Sequence, residues 1–372
     1  QNPAAPSPDY LTDDNPFNDV NYIFNKEVIF GTIQGVFART KAGGQTTTFD
    51  EYMHWAPERD WGREAVLKTY EREPQKNETA PFTEEDRRTV MENLEQNVLA
   101  TARALKEEGI SAYALCGAYG YPSPTITGSV KKDIVFVDEI IGVKLALSDH
   151  RAPNISTEEL IRLASDVRTA GMVSGKPGII VAHMGSGFRR LEQVFDALKR
   201  SDIPVKTFHP THMSRTEELL EDGFRFAKMG GYVDITCEDI QRIPEGKLGT
   251  GAMLRLLDKA RQEGVPMDRL TFSSDGQGSW SSYDEYGHLK EIGVTDVGNL
   301  FRQFRHLVLE GAVDLTQALS FFTSNVAKAL EIYPKKGCIA RGADADVLLL
   351  RPDLALDTVI ARGAIMMRDG NV

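Results

Sequence analysis

Short apolar runs alternate with amphipathic segments from about residue 110 to residue 280. Helical periodicity is clear near residues 156–170, 188–200, 215–229 and 250–263. The apolar runs between these segments have the composition of buried strands: ISAYALCGAY, IVFVDEIIGVKLALSD, GIIVAHMG, PVKTFHPTH, GYVDITC and RLTFSSDGQGS. Strand–helix alternation of this kind predicts a parallel β/α architecture.

The two ends of the chain follow other patterns. Residues 1–19 are rich in Pro, Asn and Asp, which predicts an extended arm, and residues 22–38 predict one or two strands. Residues 82–109 predict an amphipathic helix with Thr83 as its N-cap and a glycine at its end. Short alternating strands punctuated by Gly and Asp over 335–372 indicate a small separate β unit.

The composition narrows the function classes. The 372 residues, 41% of them hydrophobic, can bury one large core or two modest ones. A net charge of −11 argues against a nucleic-acid partner and gives no support for an anionic membrane surface, and no run of 18 apolar residues exists. The three cysteines form no C-x-x-C pair, so we expect a reduced, cytoplasmic protein: Cys116, Cys237 and Cys338.

Polar residues recur where the predicted strands end. His183 closes GIIVAHMG, His212 closes VKTFHPTH, and Asp275 follows LTFSSD. The carboxyl ends of parallel strands meet on one face of a barrel, where active sites lie, and imidazoles with a carboxylate suit zinc. Taken singly, each has a structural alternative, because a strand-end His is often only hydrogen-bonded and Asp-Gly is common in turns. His209 is the other histidine of its strand, but it precedes Pro210 and is the weaker ligand candidate.

Lys144 stands inside the apolar run IIGVKLALSD. An ammonium buried there is costly unless it is paired or chemically changed. One interpretation is a lysine that pairs with a neighbouring carboxylate. The other, favoured by the nearby ligand-type residues, is a carbamate, in which CO₂ on the amine makes an anionic metal ligand.

Several motifs resemble the isoaspartyl dipeptidase (β-aspartyl peptidase) family of the amidohydrolase superfamily. The similarity covers about residues 94–372 in unbroken order. It rests on CGAYGYPSPTITGSVKKDIVFVDEIIGVKLALSDHR, AHMG, PTHMSR, GGYVDIT, SSDGQGS, GADADVLLL and ARGAIMMRDG. TITGSV, SDHR and SSDGQGS are specific to this branch, whereas the His and Asp residues alone indicate only the superfamily.

The resemblance implies an α/β fold, a TIM-like (β/α)₈ barrel with a small β domain that contains the C-terminal segment. It also implies two Zn²⁺ ions and a role for each matching residue. The metal ligands would be Lys144 as a carbamate, His183, His212 and Asp275, with Asp275 and Tyr119 catalytic and Arg151, Arg215 and Ser279 binding the substrate. We accordingly expect an atypical N-terminal region over 1–90, a hydrolase barrel over 91–334 and the small β domain over 335–372.

Two family features are missing: a histidine pair that binds metal, and a Gly-rich segment with a glutamate that holds the substrate amine. The family carries an H-x-H metal-binding pair at the end of its first barrel strand, and no two of the seven histidines lie at i, i+2. Upstream of the matching region the only histidine is His54, so the barrel is expected to be incomplete at its N-terminal side. A one-metal site on His183, His212 and Lys144 is therefore the most that the sequence guarantees, where the family has two.

The predicted function is hydrolysis of β-aspartyl (isoaspartyl) dipeptides by a zinc-dependent metallopeptidase through a metal-activated hydroxide. The substrate would be a small peptide with free carboxylates, because arginine side chains bind carboxylates in pairs of hydrogen bonds. The resemblance also implies a homo-oligomer. Two alternatives stay open: another amidohydrolase acting on a cyclic or acylated amide, and a catalytically inactive barrel with a binding or assembly role.

Overall fold

A computed structural model describes residues 98–149, 152, 155–237, 251–283 and 289–369. The predicted arm, the strands predicted over 22–38 and Thr83 lie outside the described residues. Residues 98–107 are helical, which confirms the end of the predicted helix.

The backbone contacts divide the chain into two compact units. Among the described residues, one unit holds 98–114, 281–283 and 289–292, and the other holds 115–149, 152, 155–237, 251–280 and 293–369.

Six strands of the barrel wall lie in the described residues. They are β1 (Ala114–Cys116), β2 (Ile140–Leu147), β3 (Ile179–Met184), β4 (Phe208–Thr211), β5 (Val233–Thr236) and β6 (Leu270–Ser273). The first four form one sheet in the order β1-β2-β3-β4, and β5 pairs with β6. The β2–β3, β3–β4 and β5–β6 pairs are all parallel, as the strand–helix alternation predicted.

Helices separate the strands. They are α1 (Val130–Phe136), α2 (Thr157–Ser174), α3 (Glu192–Arg200), α4 (Glu217–Lys228), α5 (Ala252–Gln262), α6 (Asn299–Leu309), α7 (Leu315–Phe322) and α8 (Ser324–Ala329). Short 3₁₀ turns, Val205–Thr207 and Met267–Arg269, lead into β4 and β6. The four helices predicted from periodicity are confirmed as α2 to α5, with ends that shift by a few residues.

Helix α2 shows how local sequence sets an element's ends. The Ser156 hydroxyl accepts from the Glu159 backbone N–H at 3.3 Å, and the Glu159 carboxylate accepts from the Ser156 N–H at 2.8 Å. This capping box satisfies two N–H groups that the first helical turn leaves without partners. Gly175, with φ 69°, ends the helix in the left-handed conformation that glycine adopts without strain.

Part of one predicted strand is helical. The first residues of IVFVDEIIGVKLALSD belong to α1, although their β-branched and aromatic side chains favour a strand. The reason is Asp133, whose carboxylate accepts from the backbone N–H groups of Ile126 (2.9 Å) and Thr127 (2.8 Å). These hydrogen bonds attach the start of the helix to the TITGS loop before it.

The C-terminal strands form a small antiparallel β domain. They are β9 (Val347–Leu350), β10 (Leu356–Ala361) and β11 (Ala364–Met367), in the order β11-β10-β9. A further two-stranded sheet, β7 (Ser279–Tyr283) with β8 (Leu289–Val294), was not predicted. No helix among the described residues is long and apolar enough to cross a membrane.

His209 of β4 is a buried histidine with a shifted pKa. Its ring stacks on Tyr232 with centroids 6.0 Å apart, and its Nε2 has no hydrogen-bond partner among the described residues. Burial lowers the pKa of His209 from 6.5 to about 4, against the opposing effects of the Lys206 backbone and the Glu331 charge. The imidazolium is therefore disfavoured in the folded protein.

This shift predicts a loss of stability in acid. Above pH 6.5 His209 is neutral in both states and contributes no pH dependence. Between pH 6.5 and 4 only the unfolded chain binds the proton, so the free energy of unfolding falls, by about 3 kcal/mol once the pH is below 4. Urea unfolding of the metal-free wild type and of His209→Asn from pH 7.5 to 4.5 measures this effect. The variant should show a flatter pH dependence, and parallel curves would contradict the prediction.

Candidate active site

Two histidines meet at the carboxyl ends of β3 and β4. The parallel register aligns Ala146 of β2 with His183 of β3, and His183 with Thr211 of β4. His212 follows directly, and the His183 and His212 ring centroids lie 4.3 Å apart, edge to face. Both residues are 5% exposed. The structure thus places His212 beside His183, whereas His209 stacks on Tyr232.

Lys144 and Tyr119 lie against this histidine pair. Lys144 is two residues before Ala146 and therefore shares its face of the sheet. Its Nζ is 4.8 Å from the centroid of the Tyr119 ring, which is itself 4.9 Å from the His183 ring. The Tyr119 carbonyl accepts from the Ala146 N–H at 3.0 Å, which fixes the tyrosine loop on β2. Four residues predicted from the sequence are thus brought together.

A polar side chain lies beside one ring nitrogen of each imidazole. His212 Nδ1 lies 2.6 Å from the hydroxyl of Thr236, at the end of β5. His183 Nε2 lies 3.5 Å from Asp149 Oδ2, and the Asp149 side chain is only 2% exposed. A polar partner at one ring nitrogen fixes the orientation of the imidazole and leaves the other nitrogen available to a ligand. Partners of this kind are typical around metal-binding histidines.

Asp149 also approaches Arg215. The same Oδ2 atom lies 3.9 Å from Arg215 Nη1, and a third of the Arg215 side chain remains exposed. A single buried carboxylate thus lies between a predicted metal ligand and a predicted substrate-binding arginine. Asp149 lies within the SDHR motif, but its sequence position alone predicted no role for it.

For two of the other predicted site residues, Asp275 and Ser279, the structure gives the position in the backbone. Asp275 follows β6 with φ 49°, a left-handed conformation uncommon for residues other than glycine. Its carbonyl accepts from the Gly278 N–H at 2.9 Å. Ser279 is the first residue of β7, and Arg151 lies outside the described residues.

Asp234, in the middle of β5, was not predicted from the sequence. Its carboxylate accepts hydrogen bonds from the hydroxyls of Thr211 (2.6 Å), Ser273 (2.6 Å) and Thr271 (2.9 Å). Burial raises the pKa of Asp234 to about 6; the three hydroxyls oppose the shift and the charge of Asp275 adds to it. Its only sequence signal is its place in GGYVDIT.

The described residues do not complete a metal site from His, Cys, Asp and Glu alone. Over 98–149, 155–237, 251–283 and 289–369, no three or more of these side chains are grouped so that they could hold an ion. Asp275 therefore does not form such a group with His183 and His212.

Comparison with known proteins identifies the family. The model of the amidohydrolase family matches residues 89–371. The structure resembles a crystal structure of β-aspartyl dipeptidase from the thermophilic, keratin-degrading Fervidobacterium islandicum AW-1 in complex with a β-Asp-Leu dipeptide. The two are 36% identical over 74% of this chain and 72% of that one, with a TM-score of 0.68. The chain belongs to the amidohydrolase family, in its isoaspartyl dipeptidase branch.

A second crystal structure of the F. islandicum dipeptidase matches 74% of this chain and 69% of its own, at 36% identity and a TM-score of 0.64. The six described wall strands with their helices are therefore part of a TIM-like barrel, and the C-terminal sheet is the small β domain of this amidohydrolase. Membership of the family supports hydrolase activity. The family match begins at residue 89, and no H-x-H pair occurs anywhere in the sequence.

The loop after β3 of this amidohydrolase is pressed against Asp149. A Cβ at Gly185 would overlap with Asp149 Cα and the Ser148 carbonyl, and a Cβ at Gly187 would lie 2.5 Å from the same carbonyl. The Gly187 N–H donates to the Ser148 carbonyl at 2.8 Å. Only glycine permits this close approach of two backbones.

Gly185→Ala should therefore destabilise the fold. The methyl group would push the loop away from Asp149, and overpacking of this kind costs about 1–3 kcal/mol. Thermal unfolding followed by circular dichroism measures the loss. Ser186→Ala, which changes the exposed neighbour in the same loop, is the matched control and should unfold like the wild type. Equal midpoints for the two variants would show that the loop does not need the close contact.

Proposed function

We propose that the protein hydrolyses β-aspartyl (isoaspartyl) dipeptides in a zinc-dependent reaction. The observation that carries the proposal is the packed group of Lys144, Tyr119, His183 and His212 at the strand ends. It occurs in a chain 36% identical to a β-aspartyl dipeptidase solved with β-Asp-Leu. Membership of the amidohydrolase family supports the reaction class, and the likeness to this relative supports the choice of substrate.

The residues present fit a metal ion if Lys144 is counted among its ligands. His212 would bind through Nε2, because Nδ1 faces the Thr236 hydroxyl, and His183 through Nδ1, because Nε2 faces Asp149. Two neutral imidazoles are typical zinc ligands. Since no three His, Cys, Asp or Glu side chains are grouped among the described residues, a further donor is needed, and a Lys144 carbamate would supply two oxygens.

Each of the remaining side chains would have a separate role in the reaction. When bound, zinc would activate water and polarise an amide carbonyl. Asp275 would take a proton from the attacking water and give it to the leaving amine. The Tyr119 hydroxyl would donate a hydrogen bond to the carbonyl oxygen as negative charge develops there. Arg215, with Arg151 and Ser279, would hold the substrate's carboxylates.

The first test of this proposal is hydrolysis itself. Wild-type protein purified with zinc and bicarbonate should cleave β-Asp-Leu and leave α-Asp-Leu intact, measured by release of free leucine. Asp275→Asn keeps the shape of the side chain but cannot carry the proton, so its turnover should fall by about 100-fold or more. Elemental analysis of both proteins gives the number of zinc ions per chain.

Each outcome of that test has a meaning. Full activity in Asp275→Asn would overturn its proton-transfer role. Cleavage of cyclic or acylated amides without cleavage of β-Asp-Leu would favour another amidohydrolase reaction. If the wild type binds no zinc and hydrolyses none of these substrates, that result would favour an inactive homologue with a binding role, as the missing H-x-H motif suggests.

Arg215 predicts a need for a free substrate carboxylate. Two analogues of β-Asp-Leu, each with one carboxylate converted to the amide, should be cleaved less efficiently by the wild type. Arg215→Gln should lower kcat/KM for β-Asp-Leu by about 10- to 100-fold, the size expected for a charge-assisted hydrogen bond. In Arg215→Gln, kcat/KM for one of the two amide analogues should equal kcat/KM for β-Asp-Leu.

Arg189→Gln is the matched control for Arg215→Gln, because Arg189 is paired with Glu192 at 3.3 Å on the protein surface. It should leave the kinetics of all three substrates unchanged. If Arg215→Gln still discriminates against both amides as the wild type does, Arg215 does not bind a carboxylate.

A further inference from the structure

Asp234 joins three neighbouring strands of the barrel through one carboxylate. Oδ2 accepts from Thr211 on β4 and from Ser273 on β6, both at 2.6 Å, and Oδ1 accepts from Thr271 on β6 at 2.9 Å. Asp234 itself is on β5, between them. The Met213 N–H also donates to the Asp234 carbonyl at 3.3 Å, so β5 is tied to the chain on both sides of His212.

The two residues that Oδ2 holds stand just before two strained positions. Thr211 directly precedes His212, which has φ 63°, and Ser273 lies two residues before Asp275, which has φ 49°. Residues other than glycine adopt such left-handed conformations at a cost, and these conformations persist where the surroundings enforce them. The hydrogen bonds to Asp234 fix the strand ends from which both turns start.

We propose that Asp234 is a positioning residue that sets the placement of His212 and Asp275 through Thr211 and Ser273. This inference rests on the proposed function for the roles of His212 and Asp275, and adds a residue that touches neither substrate nor metal. Thr236, two residues after Asp234 on the same face of β5, completes the arrangement by its contact with His212 Nδ1.

A carboxylate suits this task better than a neutral group. It accepts three hydroxyl hydrogens at once, and hydrogen bonds to an ionised acceptor are shorter and stronger than neutral ones. Asparagine has the same shape but one acceptor oxygen, so at least one hydroxyl would have to turn round and accept from the amide. Asp234→Asn therefore loosens the three-strand connection without opening a cavity.

The test separates positioning from general stability with five variants. Asp234→Asn and Asp234→Ala remove the carboxylate, Thr211→Val removes the connection to β4, and Ser273→Ala removes one connection to β6. Thr207→Val is the matched control, because Thr207 is a buried threonine whose hydroxyl has no hydrogen-bond partner among the described residues. Each protein is assayed for zinc affinity by chelator competition, for the thermal midpoint, and for kcat and KM on β-Asp-Leu.

The expected pattern differs among the variants. Asp234→Asn should weaken zinc binding and lower kcat, each by about 10-fold, the lower end of losses seen when supporting residues around a metal ligand are changed. KM should stay within about 2-fold because Asp234 is not placed to touch substrate. Thr211→Val should mainly weaken zinc binding, and Ser273→Ala should mainly lower kcat. Thr207→Val should match the wild type.

Some results would overturn the inference. A folded Asp234→Asn protein with the zinc affinity and kcat of the wild type would do so. The inference would also fail if zinc affinity and kcat fell in every variant in proportion to its fall in thermal midpoint. If Asp234→Ala does not fold, the asparagine, Thr211 and Ser273 variants still decide the question. If the wild type does not hydrolyse β-Asp-Leu, the proposed function fails, but zinc competition in Thr211→Val still tests the His212 half of the inference.

Discussion

The parallel register of β2, β3 and β4 is the constraint on which the candidate site depends. It sets Ala146, His183 and Thr211 in one row, so that side chains far apart in sequence arrive at the same height of the barrel wall. A one-residue slip of β3 would turn His183 to the opposite face and separate it from His212. Packing between the buried strand residues and the surrounding helices maintains this register. The same packing therefore keeps the site residues in place.

Three buried polar side chains near the strand ends have partners on neighbouring segments of the chain. Asp234 has three hydroxyl donors, His212 faces Thr236, and His183 faces Asp149. Burying such groups without partners would cost about 1–3 kcal/mol each. Asp234, His183 and His212 are therefore buried with polar partners, whereas Nε2 of His209 has none among the described residues.

Much of the fold could be predicted from the sequence because its helices and strands have local patterns of apolar and polar residues. The period of α2 to α5 and the apolar strands are local signals, and the strand-end residues His183 and His212 follow from them. The helical start of α1 was missed, because it depends on a side-chain contact between Asp133 and the preceding loop. Asp149, Asp234 and Thr236 were missed for a related reason: their roles exist only between strands, and a single sequence does not show which strands are neighbours. The roles of Tyr119, Arg215 and Ser279 came from family resemblance.

The position of Asp149 between His183 and Arg215 has a consequence for engineering this protein. One oxygen atom is shared between two positively polarised groups, 3.5 Å from the imidazole and 3.9 Å from the guanidinium. A substitution of Arg215 therefore changes the charge beside Asp149 and, through that carboxylate, the electrostatic surroundings of the His183 ring.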